Sequence, residues 1–190
     1  MKTLKKIWNE LPMKSDKGNL HSYLDVYEEI LAPYRDTAKN ILELGLLNGA
    51  SLLLFEQYFT GNVYGVDYDS QPLDGVGDLR PLIIEGHNIL IFDATDSERA
   101  NGIFNRFKFD VIIEDCNHSI EQQLELYNLY KKFLAAGGSY IIEDIQSIDK
   151  DRTVFENIDA EKSVSIIDRR NINNRYDDVL CVIKDKNTSA

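Results

Sequence analysis

The chain is short of cysteine, of membrane-length apolar runs and of positive charge, and each shortage removes a class of explanation. Its two cysteines, Cys116 and Cys181, stand singly, in neither a CxxC pair nor a zinc-like spacing, so no zinc finger is encoded. Both fall in or beside apolar strand-like runs, where a small buried thiol is ordinary, and a reducing compartment is expected. No stretch approaches the length of a membrane span. The first residues, Met1 to Trp8, are basic, but no apolar run of signal-peptide length follows them, so the expected location is cytoplasmic. Internal repeats and low-complexity segments are also missing. Lys and Arg number 21 against 32 Asp and Glu, a net charge of −11. Such a field repels phosphate backbones, which argues against nucleic acid as a partner. The surplus acid either serves solubility or gathers at a cation site. No motif speaks to oligomeric state, and a homo-oligomer stays open.

What is present suits one globular domain. A chain of 190 residues, 43% hydrophobic and 28% charged, can bury one real core but not two ordinary ones. Residues 1–38 read as a helical lead-in. Tyr23, Val26, Tyr27, Ile30 and Leu31 share one helical face, and Pro33 ends it. From residue 39 to 190, strands and helices alternate. Strands are expected at Asn40–Leu46, Asn62–Tyr68, Asn88–Ala94, Phe109–Asp115 and Tyr140–Ile145. Helices are expected over Gly49–Phe59, over Asp96–Phe104 with Asp96 as N-cap, and behind Ser119. Ser119-Ile-Glu-Gln122 matches a capping box. The helix behind it carries Ile120, Leu124, Tyr127 and Leu134 as its stripe and ends on Gly137-Gly138 as a glycine cap. The segment Asp69–Gly86, with Pro72, Gly75, Gly77 and Pro81, is expected to be irregular. Ser163–Ile167 and Val179–Lys184 lack room for a long helix between them and should pair antiparallel. The pattern predicts an α/β, Rossmann-like fold: a mostly parallel sheet covered on both faces. In such sheets ligands bind beyond the carboxyl ends of the strands.

The candidate chemistry falls at those ends. Gly45 and Gly49 bracket the first strand-to-helix turn, spaced G-x-x-x-G after Glu43. This departs from the G-x-G-x-x-G dinucleotide fingerprint. A turn without a full set of phosphate-cradling amides suits S-adenosylmethionine, which has no phosphate. Glu43 is then placed to meet the amino-acid end, Asp67 the ribose hydroxyls, and Asp93 with Ala94 the adenine. A packing turn or a capping Asp would leave the same letters. At the next two strand ends stand Asp115, His118, Glu143 and Asp144. Asp115, Glu143 and Asp144 offer only oxygen, which suits Mg²⁺ or another hard divalent cation. His118, three residues after Asp115, offers an imidazole, a side chain suited to general-base work. Each of these residues also has an ordinary structural reading, as a helix cap or a solvated strand end.

These motifs resemble the class I S-adenosylmethionine-dependent methyltransferases, and among them the metal-dependent sugar O-methyltransferases of macrolide biosynthesis. The likeness runs from about Ser15 to Lys184. It is carried by Ser15-Asp-Lys-Gly18, His21-Ser-Tyr23, the Glu43–Gly49 turn, Asp67, Asp93-Ala-Thr-Asp96, Asp115-x-x-His118, Glu143-Asp144 and Asp177-Asp178. The resemblance implies a seven-stranded methyltransferase sheet whose last strand is antiparallel. It implies a divalent metal on Asp115, Glu143 and Asp144, with His118 as base. It also implies that Ser15–Tyr23 folds over the cofactor, which puts Ser15, Lys17 and Tyr23 in the cofactor-binding set with Glu43, Gly45, Gly49, Ser51, Asp67, Asp93, Ala94 and Asp115. The relatives often carry Asp-Gly-Ser-His where this chain has Asp115-Cys116-Asn117-His118, a change in the turn that aims His118. The expected activity is O-methylation of a small-molecule hydroxyl, such as that of a sugar or vicinal diol. A non-catalytic nucleoside-binding protein, a nicotinamide dehydrogenase and a metal hydrolase are the rival readings.

Overall fold

The computed structural model describes residues 1–70 and 78–186. Seven strands form one sheet: β1 (Asn40–Leu44), β2 (Asn62–Asp67), β3 (Ile89–Ile91), β4 (Phe109–Glu114), β5 (Leu134–Ile142), β6 (Lys162–Asp168) and β7 (Val179–Asp185). Their order is β3-β2-β1-β4-β5-β7-β6. β1 to β5 pair parallel, and β7 runs antiparallel to both neighbours, β5 and β6. The order reverses at β1 and β4, which is where such a sheet opens a crevice at its carboxyl edge.

Strand alternation divides the core into two layers. Ile41, Val111, Ile113 and Ile141 face one cluster, which takes in α1 (Leu4–Glu10), α2 (Leu24–Leu31) and α3 (Ala50–Tyr58). Leu42, Leu44, Ile112, Tyr140 and Ile142 face the other, with α5 (Ser97–Phe104), α6 (Ile120–Tyr130) and α7 (Ile148–Glu156). The lead-in therefore shares one covering layer with α3: Leu4, Ile7, Tyr23, Tyr27 and Leu31 are all fully or almost fully buried. Short α4 (Arg80–Glu85) and α8 (Arg170–Asn173) complete the set.

Several expectations change. Gly137 and Gly138 do not cap α6, which ends at Tyr130 and passes through a 3-10 turn, Lys131–Phe133. They sit inside β5, where the register against β4 jumps from Phe109↔Leu134 to Val111↔Ser139. A bulge there puts Gly137 at φ 76°, and a Cβ on Gly138 would lie 2.9 Å from the Asp110 carbonyl oxygen. Glycine thus serves a bulge rather than a helix end. The buried stripe of α6 is Gln123, Leu126, Tyr127 and Tyr130, so the packing face is rotated from the expected one. Within Asp69–Gly86, a helix forms at Arg80–Glu85 with Pro81 in its first turn, a position where proline loses no hydrogen bond. Pro72, Gly75 and Gly77 lie outside the described residues.

Ser119 does cap α6: its Oγ accepts from the Gln122 amide at 3.4 Å. The reciprocal bond differs from a capping box. Gln122 Oε1 accepts from the Asn117 amide, and the Ser119 amide donates to Asn117 Oδ1. Ser119→Ala is expected to cost about 1 kcal/mol, seen as a fall of roughly 2–4 °C in thermal midpoint.

Candidate functional site

The carboxyl ends of β1 and β4 touch. Gly45 has φ 87°, and a Cβ there would lie 2.0 Å from the Asp115 carbonyl oxygen. Only glycine lets the two strand ends meet this closely. Asp67, ending β2, accepts from the amides of Leu46 (2.8 Å) and Leu47 (3.2 Å) through Oδ2. It thereby stiffens the same turn. Gly49, at φ 77°, opens α3.

A cavity of about 620 Å³ lies over this turn, within the range of small-ligand sites. Ser15, Gly45, Ser51, Asp67, Asp93, Ala94, Asp115 and His118 line it. Of the other sequence-predicted residues, Lys17, Tyr23, Glu43, Gly49, Glu143 and Asp144 do not. Asp93 holds a turn, accepting from Thr95 N (2.9 Å) and Oγ1 (2.7 Å). Leu20, Leu47 and Tyr68 also line the cavity and are 54%, 52% and 73% exposed. Sequence reasoning passed over them. Their one signal is apolar side chains sitting just beyond a strand end or in the lead-in, where nothing demands them for the core.

Beside the cavity lies a knot of carboxylates. Asp115, His118 and Asp144 each present a ligand atom within 4.8 Å of the others. His118 (φ 61°) and Asp144 (φ 54°) are both left-handed, an uncommon state for non-glycine residues that concentrates at functional sites. His118 Nδ1 lies 3.9 Å from Asp115 Oδ1 and has no hydrogen-bond partner. Burial pushes the Asp144 carboxyl up to about 8, with the charge of Asp115 adding to it and the Tyr23 hydroxyl opposing it.

Glu143 is placed differently. Its Oε2 accepts from Lys17 Nζ at 2.9 Å, and its Oε1 bonds the Tyr27 hydroxyl. Lys17 Nζ also reaches Asp115 Oδ2 at 2.7 Å and lies 3.6 Å from Glu43 Oε1. This ammonium is 1% exposed. Burial opposes its charge, but Asp115, Glu143 and Glu43 outweigh that and hold it firmly protonated. Glu43 is fully buried, and burial raises its carboxyl to about 7 against the pull of Lys17. Lys17 thus compensates the floor of the site. Lys17→Met would strand buried carboxylates, at about 3–5 kcal/mol. A thermal melt in EDTA should show the loss, and added Mg²⁺ should recover part of it.

The lead-in supplies the other contacts to this knot. Tyr23 donates to Asp144 Oδ1 at 2.7 Å, and Tyr27, one turn later on α2, serves Glu143. Tyr27 was read from sequence only as a packing residue. Its buried hydroxyl was the available hint, since tyrosine fully inside a core finds a polar partner. His21 stacks on Tyr23, their ring centroids 4.8 Å apart.

Glu114, also at the end of β4, points into the second core layer, and its Oε2 is unpartnered. Burial pushes its carboxyl up to about 8. An unfolded glutamate titrates near 4.3, so between roughly pH 4 and 8 the folded chain holds the extra proton. Stability from this group is therefore lost as pH rises through that window. Glu114→Gln keeps the oxygen that accepts from the Cys116 amide at 3.2 Å. The variant should lose less thermal stability than wild type between pH 5 and 8.5.

Known proteins share this architecture. No protein-family profile matches the chain. It is 28% identical over 142 residues to 8-demethyl-8-alpha-L-rhamnosyl tetracenomycin-C 2'-O-methyltransferase of Streptomyces olivaceus. It is 32% identical over 145 residues to L-olivosyl-oleandolide 3-O-methyltransferase of Streptomyces antibioticus. Each match takes in 70% of this chain and 35% of the relative, so the chain spans about a third of the length of these curated relatives. Among solved structures, the MycE methyltransferase of the mycinamycin biosynthetic pathway, in complex with Mg, SAH and mycinamycin VI, superposes with a TM-score of 0.72 at 18% identity. That match covers all of this chain and 56% of MycE.

Proposed function

We propose that this chain, which has the class I methyltransferase fold, is an S-adenosylmethionine-dependent, divalent-metal-dependent O-methyltransferase acting on a hydroxyl of a small molecule such as a sugar. The observation that carries the reading is the convergence of Asp115, His118 and Asp144 within 4.8 Å, beside a cavity built on the Gly45–Asp67 turn. The donors suit the ion: Asp115 and Asp144 offer only oxygen, and the His118 imidazole beside them is left without a hydrogen-bond partner at Nδ1. Asp115 and Asp144 hold it, and Glu143 joins them only where Lys17 releases Oε2. The cavity suits a nucleoside: Gly45 allows close approach, Asp67 meets the ribose hydroxyls, and Asp93 and Ala94 flank the base. Residues 1–38 are the lead-in and cofactor lid, and residues 39–190 the methyltransferase core.

When bound, S-adenosylmethionine supplies an electrophilic methyl group, and a hard cation lowers the pKa of an acceptor hydroxyl. The chain does the rest. His118 takes the hydroxyl proton. Asp115, within reach of His118 Nδ1, steadies the resulting imidazolium. Lys17 keeps Asp115 and Glu143 compensated and in place. The buried floor excludes water, and most of the rate comes from alignment and fixed charge.

The test is methyl transfer from S-adenosylmethionine to a panel of sugars and vicinal diols, with Mg²⁺ and with EDTA, alongside calorimetry of cofactor binding. Metal-dependent transfer is expected. Cofactor binding with neither metal dependence nor transfer would instead make this a nucleoside-binding protein.

A further inference from the structure

A second group of potential ligands surrounds Asp144, and the proposed chemistry does not use it. His21, Asp144 and Asp177 each offer a ligand atom within 4.8 Å of the others, and all three are buried. His21 is 3% exposed, with Nε2 3.2 Å from Asp144 Oδ2 and Nδ1 3.4 Å from Asp178 Oδ1. Both ring nitrogens therefore face carboxylate oxygen, yet Nδ1 meets none of it in hydrogen-bond geometry. A buried polar atom left this way is costly, unless a cation stands between the two.

The neighbouring donors leave room for one. The Tyr23 hydroxyl occupies Asp144 Oδ1, leaving Oδ2. Arg175 grips Asp177 through both oxygens, at 3.0 and 2.8 Å, and each keeps a further lone pair. Asp178 is taken up by Ser22, whose amide donates to Oδ1 at 3.2 Å and whose hydroxyl donates to Oδ2 at 2.7 Å. One guanidinium is thus in contact with a group of three carboxylates.

We propose that His21, Asp144 and Asp177 form a second divalent-cation site, with Asp144 shared between it and the Asp115–His118 cluster. One imidazole with two carboxylates favours a divalent transition ion such as Mn²⁺, Co²⁺ or Zn²⁺ over Mg²⁺. The ion ties the Ser15–Tyr23 segment to the β6–β7 connection. This rests on the methyltransferase reading only at the shared Asp144 and does not require methyl transfer.

Mn²⁺ binding to the full chain, counted by electron paramagnetic resonance of the free ion, tests it. Wild type should bind two ions. His21→Ala and Asp177→Asn should each bind one, or hold the second at least tenfold more weakly. His118→Ala should keep the His21 site. Circular dichroism confirms that each variant is folded, and His21→Gln replaces His21→Ala if that one is not. A single ion in wild type, or two undiminished ions in both the His21 and Asp177 variants, overturns the proposal. One ion with methyl transfer intact removes only this site. Two ions without any methyl transfer keep it and sink the enzymatic reading.

Discussion

His118→Asn is expected to lower methyl transfer by about 10²–10⁴-fold, the range for losing a positioned general base, while S-adenosylmethionine still binds. Asparagine is the informative replacement because position 118 sits at φ 61°. Asparagine tolerates the left-handed region better than most residues, so the backbone turn survives and only the base is lost. The imidazole is partly open to the cavity, and its Nδ1 is not engaged elsewhere. Deleting it therefore strands no hydrogen-bond partner. Steady-state transfer and calorimetric cofactor affinity, measured together, separate the two effects. Turnover within about threefold of wild type would take the base role away from His118.

Gly45→Ala should be the most damaging single change to the fold of the site. The added methyl would sit 2.0 Å from the Asp115 carbonyl oxygen, at a φ of 87° that alanine rarely adopts. Backbone is the obstacle, and no side-chain rotation relieves it. A loss of at least about 3 kcal/mol is expected from strain and clash together. That corresponds to a fall in midpoint of roughly 6–12 °C for a chain this size. Because β1 and β4 would be forced apart, cofactor affinity should fall in parallel. Gly86→Ala is the control: its φ of 94° is also left-handed, but nothing lies within 4 Å of its Cβ. The difference between the two variants measures the close approach alone.

Much of the architecture was legible from local pattern. Continuous apolar runs such as Ile41–Leu42 and Val111–Ile113 mark strands buried on both faces. Asp96 and Ser119 marked helix starts because N-capping is local chemistry. Gly137-Gly138 misled, since a glycine pair after a helix reads the same whether it caps the helix or bends the next strand. The bulge is a matter of pairing with β4, and pairing is not local.

In the site, the residue types and their places at strand ends came from the sequence: Asp67, Asp115, His118 and Glu143-Asp144 follow apolar runs, and the parallel order brings such ends to one edge. Which of those acids share a point did not. β5 ends at Ile142, and the left-handed turn just beyond it sends Glu143 and Asp144 different ways. Asp144, turned by a left-handed backbone, joins Asp115 and His118, while Glu143 is held by Lys17 and Tyr27. Those two partners are 126 and 116 residues distant in the chain. Only the packing of the lead-in across the sheet brings an ammonium and two phenols to these carboxylates.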